Sequence, residues 1–214
     1  MKKKPQTAIS DTISERYPST ELVILAGGQA RRMNGINKLL HTFDHEMQLI
    51  KIHQQFKSQV AKVWVNSHRD HSIYERIIPS IQYFSDDEAG FHGPLMGMKS
   101  TWAHVQSDYV LFVPCDVTFM PKKVLSCLHQ TLQSHPQCEV AVVEINAKLL
   151  YPFCLLKRSS LAKLSAHLEQ NQRSLKHCFA EMHMQMAKFS NNALFFHSIN
   201  SFDELQQHRQ LRFL

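Results

Sequence analysis

The sequence predicts an α/β fold, a mostly parallel sheet with helices on both faces. Three observations predict it. Short apolar runs of strand length recur through the first two-thirds of the chain, at Leu22–Leu25, Lys62–Asn66, Ile81–Phe84, Tyr109–Val113 and Val140–Val143. Such runs, too short for a helix and apolar on both faces, fit strands covered on both sides. Segments between them carry apolar residues at helical spacing, and the first run stops at Gly27-Gly28. Strand and helix in alternation give a parallel sheet wrapped on both faces.

The chain has 214 residues, of which 43% are apolar, enough for a core and against disorder. Residues 1–20 are polar with two prolines and read as a mobile tail. Residues 21–214 read as one domain. Leu49, Ile52, Phe56 and Val60 give an amphipathic helix after the first loop. His68-Arg69-Asp70-His71 opens the next helix; with no carboxylate at metal spacing, its histidines read as solvated. The third strand runs into an acidic, then glycine-rich loop, Ser85 to Met98, with a helix opening at Pro94, the favoured first-turn place for proline. Val124, Leu125, Leu128 and Leu132 mark a further helix. Beyond it the pattern loosens: Leu149–Leu156 reads as a strand, and Leu161, Leu164 and Leu168 as a helix. Arg173 stands at the start of another helix, and Met182 to Met186, with Phe179 and Phe189, reads as core.

Net charge is +6 with histidines neutral, which suits nucleic acid, a membrane surface or phosphorylated small molecules. The cations are scattered without an aromatic-laced basic ribbon, so phosphorylated ligands fit and nucleic acid does not. No apolar stretch is long enough to span a bilayer, and no apolar core follows the N-terminal lysines, so no membrane association or secretion is expected. Five cysteines without a Cys-x-x-Cys pair suit a reducing compartment, and the protein reads as cytoplasmic.

The chemistry concentrates at strand ends. Gly27 and Gly28 lack a Cβ and admit a ligand close to the main chain, while Arg31, Arg32 and Lys38 follow in one loop. Backbone N–H groups plus cations suit a triphosphate, although Gly-Gly also serves as a plain turn. No Gly-Lys-Ser/Thr follows, so this is not a Walker A loop. Ligands in open α/β sheets lie beyond the carboxyl ends of strands, which places Asn66 to meet one. Asp116, just past the fourth strand, is a hard oxygen donor placed for Mg²⁺, or else a cap of the following turn.

Leu25-Ala26-Gly27-Gly28, then Arg32-Met33 and Lys38, resembles the signature loop of the molybdenum cofactor guanylyltransferases, relatives of the nucleotide-sugar-forming nucleotidyltransferases. Gly93-Pro94-Leu95, Val113-Pro114-Cys115-Asp116 and Phe196 to Leu205 extend the likeness to roughly residues 21–209, specific in the first half and loose in the second. Two departures stand in the loop: Asn34 where the family has glycine, and Asn37 where it has aspartate. Ser198 and Phe202 depart further on, and Tyr151-Pro152 stands where the family has His-Pro. Ser201 and Glu204 form a capping box for the final helix.

The resemblance implies a three-layer, Rossmann-like fold of the nucleotide-diphospho-sugar transferase type, with a nucleotide-binding part (21–145) and a molybdopterin-facing part (146–214). It implies transfer of GMP from GTP to the terminal phosphate of the molybdenum-molybdopterin cofactor, with release of pyrophosphate. Cytidylyl transfer, transfer to a sugar phosphate, and nucleotide or cofactor binding without turnover remain alternatives. Arg32, Lys38 and Asp116 are expected to act in catalysis. Leu25, Ala26, Gly27, Gly28, Lys38, Asn66, Asp86 and Asp116 are expected to hold the nucleotide, and Asp116 the Mg²⁺. Arg173 and Asn200 are expected to meet the second substrate. GTP and the molybdopterin cofactor are the implied partners, with cofactor-insertion chaperones or molybdoenzymes downstream.

Overall fold

The computed structural model describes residues 17–28, 36–43, 45–88, 90, 93–194, 196–199 and 201–211. Its frame is a seven-stranded sheet. β1 (Thr20–Leu25) is buried along its whole length, with Leu22 and Ile24 facing one layer and Val23 and Leu25 the other. It lies between β4 (Val63–Asn66) and β6 (Tyr109–Pro114), parallel to both, and β5 (Gln82–Phe84) extends the sheet beyond β4. β7 (Val140–Ile145) and β9 (Gln185–Phe189) pair in parallel at the far edge. Between β6 and β7 runs β8 (Lys148–Lys157), antiparallel to both.

The strand order is β5-β4-β1-β6-β8-β7-β9. From β1 the chain builds outward through β4 and β5, then returns to place β6 on the other side. That reversal is the topological switch point, where ligands of such sheets bind. Helices α1 (Gln48–Phe56), α2 (His71–Ile77) and α4 (Val124–Ser134) contribute apolar residues to one layer, among them Leu49, Ile52, Tyr74, Leu125 and Leu128. Helices α3 (Pro94–Thr101), α5 (Leu161–Glu169) and α6 (Leu175–Glu181) cover the other with Leu95, Met98, Leu164 and Phe179. The expected three-layer, mostly parallel arrangement is therefore present.

Several boundaries differ from the sequence expectations. Thr20 belongs to β1 and is buried, and Tyr17 stacks on His129, so the polar start gives way to structure before residue 20. Residues 1–16 lie outside the described residues. The second helix begins at His71 rather than at His68, because Asp70 takes a left-handed backbone (φ 62°) that a helix cannot include. β5 starts at Gln82, and β7 runs on to Ile145. The small hairpin of β2 (Thr42–Phe43) and β3 (Glu46–Met47) carries too few residues to show a period. β9 was unexpected: it places Met186 at the surface, although Phe179 and Met182 are fully buried as expected. The division at residue 145 falls in the β7–β8 hairpin, and both parts share one sheet. The last helix, α7 (Phe202–Leu211), starts directly after Ser201, whose hydroxyl accepts the Glu204 N–H at 3.2 Å.

Candidate active site

A cavity of about 830 Å³ opens at the carboxyl ends of β1, β4 and β6. All the strand-end and loop residues expected to hold a nucleotide line it: Leu25, Ala26, Gly27, Gly28, Lys38, Asn66, Asp86 and Asp116. Arg32 and Asn200 lie outside the described residues. Arg173 does not line the cavity; it is exposed, and its Nε donates to Asn171 Oδ1 at 3.3 Å.

β1 delivers the two glycines. The Ala26 N–H donates to the Asn66 carbonyl at 2.9 Å, so the β1–β4 pairing continues to the brink of the turn. Neither Gly27 nor Gly28 takes a left-handed backbone; what they provide is room. Among the described residues a Cβ on Gly28 would meet nothing within 4 Å, and Gly28 lines the cavity. A Cβ on Gly27 would reach ordinary contact with Asn66 and His68, at 3.5 and 3.6 Å.

Lys38 opens a one-turn 3-10 helix, Lys38–Leu40, anchored by the fully buried Leu39. Its Nζ lies 3.0 Å from Asp116 Oδ2, with the two side chains only 13% and 19% exposed. Thus a cation from the first loop and a carboxylate from the tip of β6 meet inside the cavity. The loop after Asp116 is held from both sides. From α1, Gln48 Nε2 donates to the Val117 carbonyl at 2.7 Å, Lys51 Nζ to Thr118 at 3.3 Å and Gln55 Nε2 to Met120 at 3.1 Å. On the other side the Ile199 N–H donates to the Asp116 carbonyl at 3.1 Å. Cys115 lies beside this pair; burial, then the Asp116 carboxylate, pushes its thiol up to about 12, so it is no thiolate nucleophile at neutral pH.

A second cluster gathers around Asp86. Asn66 Nδ2 donates to Oδ1 at 2.8 Å, and His68 Nε2 lies 3.1 Å from Oδ2. His68 is therefore a partner of a site carboxylate and not a solvated residue. His71 is occupied as well: its Nε2 lies 2.7 Å from the Ser67 carbonyl and its ring stacks on Tyr83. Arg69 and Lys148 add cations to the cavity lining, and His197 and Ser198 close its other side with Tyr151 and Pro152. Sequence reading passed over Arg69 and Lys148, although Arg69 follows β4 closely enough for the strand-end rule to have found it.

Among the described residues no group of three or more His, Cys, Asp or Glu side chains is arranged to hold a metal. Among the described residues the cavity is lined by two carboxylates, Asp86 and Asp116, of which Asp116 stands at the tip of β6 beside Lys38. Mg²⁺ commonly binds through one or two protein carboxylates, with water and substrate phosphates completing its shell, so one carboxylate fits. Among the described residues no helix is long and apolar enough to cross a membrane.

Residues 22–185 match the model of the MobA-like NTP transferase domain. A molybdenum cofactor guanylyltransferase of Acinetobacter baumannii is 58% identical over 200 residues, covering 94% of this chain and 96% of that protein. Among solved structures, molybdopterin-guanine dinucleotide biosynthesis protein A from Archaeoglobus fulgidus superposes with a TM-score of 0.66 at 16% identity, over 90% of this chain and 98% of that one. CMP:2-keto-3-deoxy-manno-octonic acid synthetase complexed with CTP does so with a TM-score of 0.63 at 13% identity, over 91% and 97%. These two likenesses concern the fold alone.

Proposed function

The chain belongs to the MobA-like NTP transferase family, and from that membership we propose how its cavity works. The chain is a nucleotidyltransferase of molybdenum cofactor synthesis. It transfers GMP from GTP to the terminal phosphate of the molybdenum-molybdopterin cofactor, forming the guanine dinucleotide and pyrophosphate. One oxygen of the acceptor phosphate forms a bond to the α-phosphorus of GTP. The bond from that phosphorus to the bridging oxygen breaks, and pyrophosphate leaves with the electron pair.

The observation that carries the reading is the 3.0 Å meeting of Lys38 and Asp116 in a cavity edged by Gly27 and Gly28. A phosphate monoester has a second pKa of about 6, so the nucleophile is already ionised at neutral pH and needs no base. What remains is charge to offset and groups to align. Gly27 and Gly28 present main chain to the triphosphate, and Lys38, with Arg32 earlier in the same loop, offsets its charge. Asn66 and Asp86 hold the nucleoside. Asp116 would hold Mg²⁺, which when bound supplies further positive charge at the phosphates. Lys148, Tyr151, His197 and Ser198 border the opposite side of the cavity and support placing the acceptor there. Arg173 and Asn200 remain the residues expected from sequence to meet the acceptor. The five unpaired cysteines support a reducing cytoplasmic setting.

The test is pyrophosphate release with molybdopterin cofactor and Mg²⁺, comparing GTP with CTP and ATP. GTP is expected to be turned over far faster than either. Equal rates with CTP would overturn the base assignment, and no pyrophosphate from any of the three would overturn the enzyme.

A further inference from the structure

Asn37 precedes the cavity lysine and commits both its amide hydrogens and its carbonyl oxygen to partners on the protein. Its Nδ2 donates to Asp70 Oδ2 at 2.7 Å and to the Tyr74 hydroxyl at 2.6 Å, while its Oδ1 accepts the Leu39 N–H at 3.0 Å. The amide orientation is unambiguous, because an ionised carboxylate only accepts and a backbone N–H only donates. Asn37 thereby caps the turn that begins at Lys38. Its partners are themselves fixed. Tyr74 is fully buried, and Asp70 takes a left-handed backbone at φ 62° just before α2. Asp70 Oδ2 also lies 3.7 Å from Arg69 Nε, and Arg69 lines the same cavity.

We propose that Asp70 is a positioning residue for the reaction, acting through the Asn37 amide to fix the turn that aims Lys38 into the cavity. It touches no reacting atom. Its carboxylate is the joint between two cavity cations, one carried by the capped turn and one paired with it directly. The pattern also explains why position 37 is an amide. An aspartate at 37 has no proton to donate and would face the Asp70 carboxylate across 2.7 Å. The negative charge stands at Asp70, and position 37 must be its donor.

The proposal rests on the nucleotidyl-transfer reading and is tested by exchange. Four proteins are compared: wild type, Asn37→Asp, Asp70→Asn, and the double exchange. The assay is pyrophosphate release at saturating GTP, with thermal melts alongside. Asn37→Asp is expected to lower kcat about tenfold or more, and the double exchange to return it to within about threefold of wild type, a coupling within the range of contacting polar pairs. A kcat that falls in the single variant and recovers in the double exchange while the melting temperature stays unchanged is what a merely structural loss would not give. Wild-type kcat in Asn37→Asp, or a double exchange no better than that single variant, overturns the proposal. Should Asn37→Asp not fold, Asp70→Ala decides: kcat about tenfold down supports the proposal, and unchanged kcat overturns it. A wild type that releases no pyrophosphate refutes the nucleotidyl-transfer reading instead. The same ordering is then sought in GTP dissociation constants, where equal affinities overturn the positioning role.

Discussion

Lys38 is the cavity cation that meets the Asp116 carboxylate, at 3.0 Å. It is mostly shielded from solvent and bonded to Asp116, so its charge acts in a lower dielectric than water. Lys38→Ala is expected to cost about 3 kcal/mol of transition-state stabilisation, a hundredfold or more in kcat, on the scale of losing one preorganised donor. Pyrophosphate release at saturating substrates measures it, and near-normal turnover would remove Lys38 from the mechanism. The turn is expected to stay folded in that variant, because the buried Leu39 and the Asn37 cap hold it. Asn66 and Asp116 were legible from sequence because each stands at the carboxyl end of a parallel strand, Lys38 because it is a cation of the loop after the paired glycines, and Asp86 through the family resemblance. The partners of those residues were not legible. The bonds from His68 to Asp86 and from Asn37 to Asp70 join loops 18 and 33 positions apart, and no local pattern encodes which loops will meet.

Among elements, α3 constrains the Asn66–Asp86 end of the cavity through one small residue. Its start is set by Gly93, at φ 80°, followed by Pro94 in the first turn. Its Gly97 then packs onto the end of β4: a Cβ there would sit 2.4 Å from Asn66 Oδ1 and 3.1 Å from Leu25 Cδ2. Alanine is favoured over glycine inside a helix by about 1 kcal/mol, so local propensity alone would make Gly97→Ala stabilising. The contact decides otherwise, since Asn66 must turn away and release Asp86. Gly97→Ala is therefore expected to weaken GTP binding about tenfold, the value of one hydrogen bond, while the melting temperature changes little. Isothermal titration with GTP checks it; unchanged affinity would mean that Asn66 does not hold the nucleoside. The same contrast explains which elements were readable. β1, β4 and β6 are buried on both faces and show as unbroken apolar runs, whereas β9 alternates exposed and buried residues over five positions. β8 was readable as a strand, but its insertion between β6 and β7 depends on pairing with a distant partner, and strand-level pattern does not carry that.

Across the whole molecule, function and anchorage occupy opposite ends of the sheet. The carboxyl ends of the strands hold the cavity, and the amino ends hold buried polar groups that tie strands to helices. Glu21, 2% exposed, accepts the N–H groups of Gln106 and Ser107 at 2.7 and 2.9 Å and the Trp64 indole at 2.7 Å. Burial alone would raise its pKa; these donors outweigh burial and lower it. His129 on α4 is 1% exposed, lies 2.8 Å from the Thr20 hydroxyl, and rests between Tyr17 and Tyr109 with ring centroids 5.2 Å away on each side. Burial pushes its pKa down from 6.5 to about 4. In the folded state the ring stays neutral where the unfolded chain takes a proton, so stability is full above pH 6.5 and falls as pH drops toward 4. At 1.36 kcal/mol per unit the whole loss is about 3 kcal/mol, of which about 2 kcal/mol falls between pH 7 and pH 5. His53, lowered by burial and by Lys57, adds in the same direction, and Glu21 joins only as pH falls below its unfolded value of 4.5. His129→Gln keeps a polar group beside Thr20 and removes the titration, so the difference between variant and wild type isolates this one ring. Between pH 7 and pH 5 the unfolding free energy from urea denaturation is expected to fall in wild type by about 2 kcal/mol more than in the variant. Equal falls in the two proteins would show that the amino-terminal anchorage does not titrate through His129.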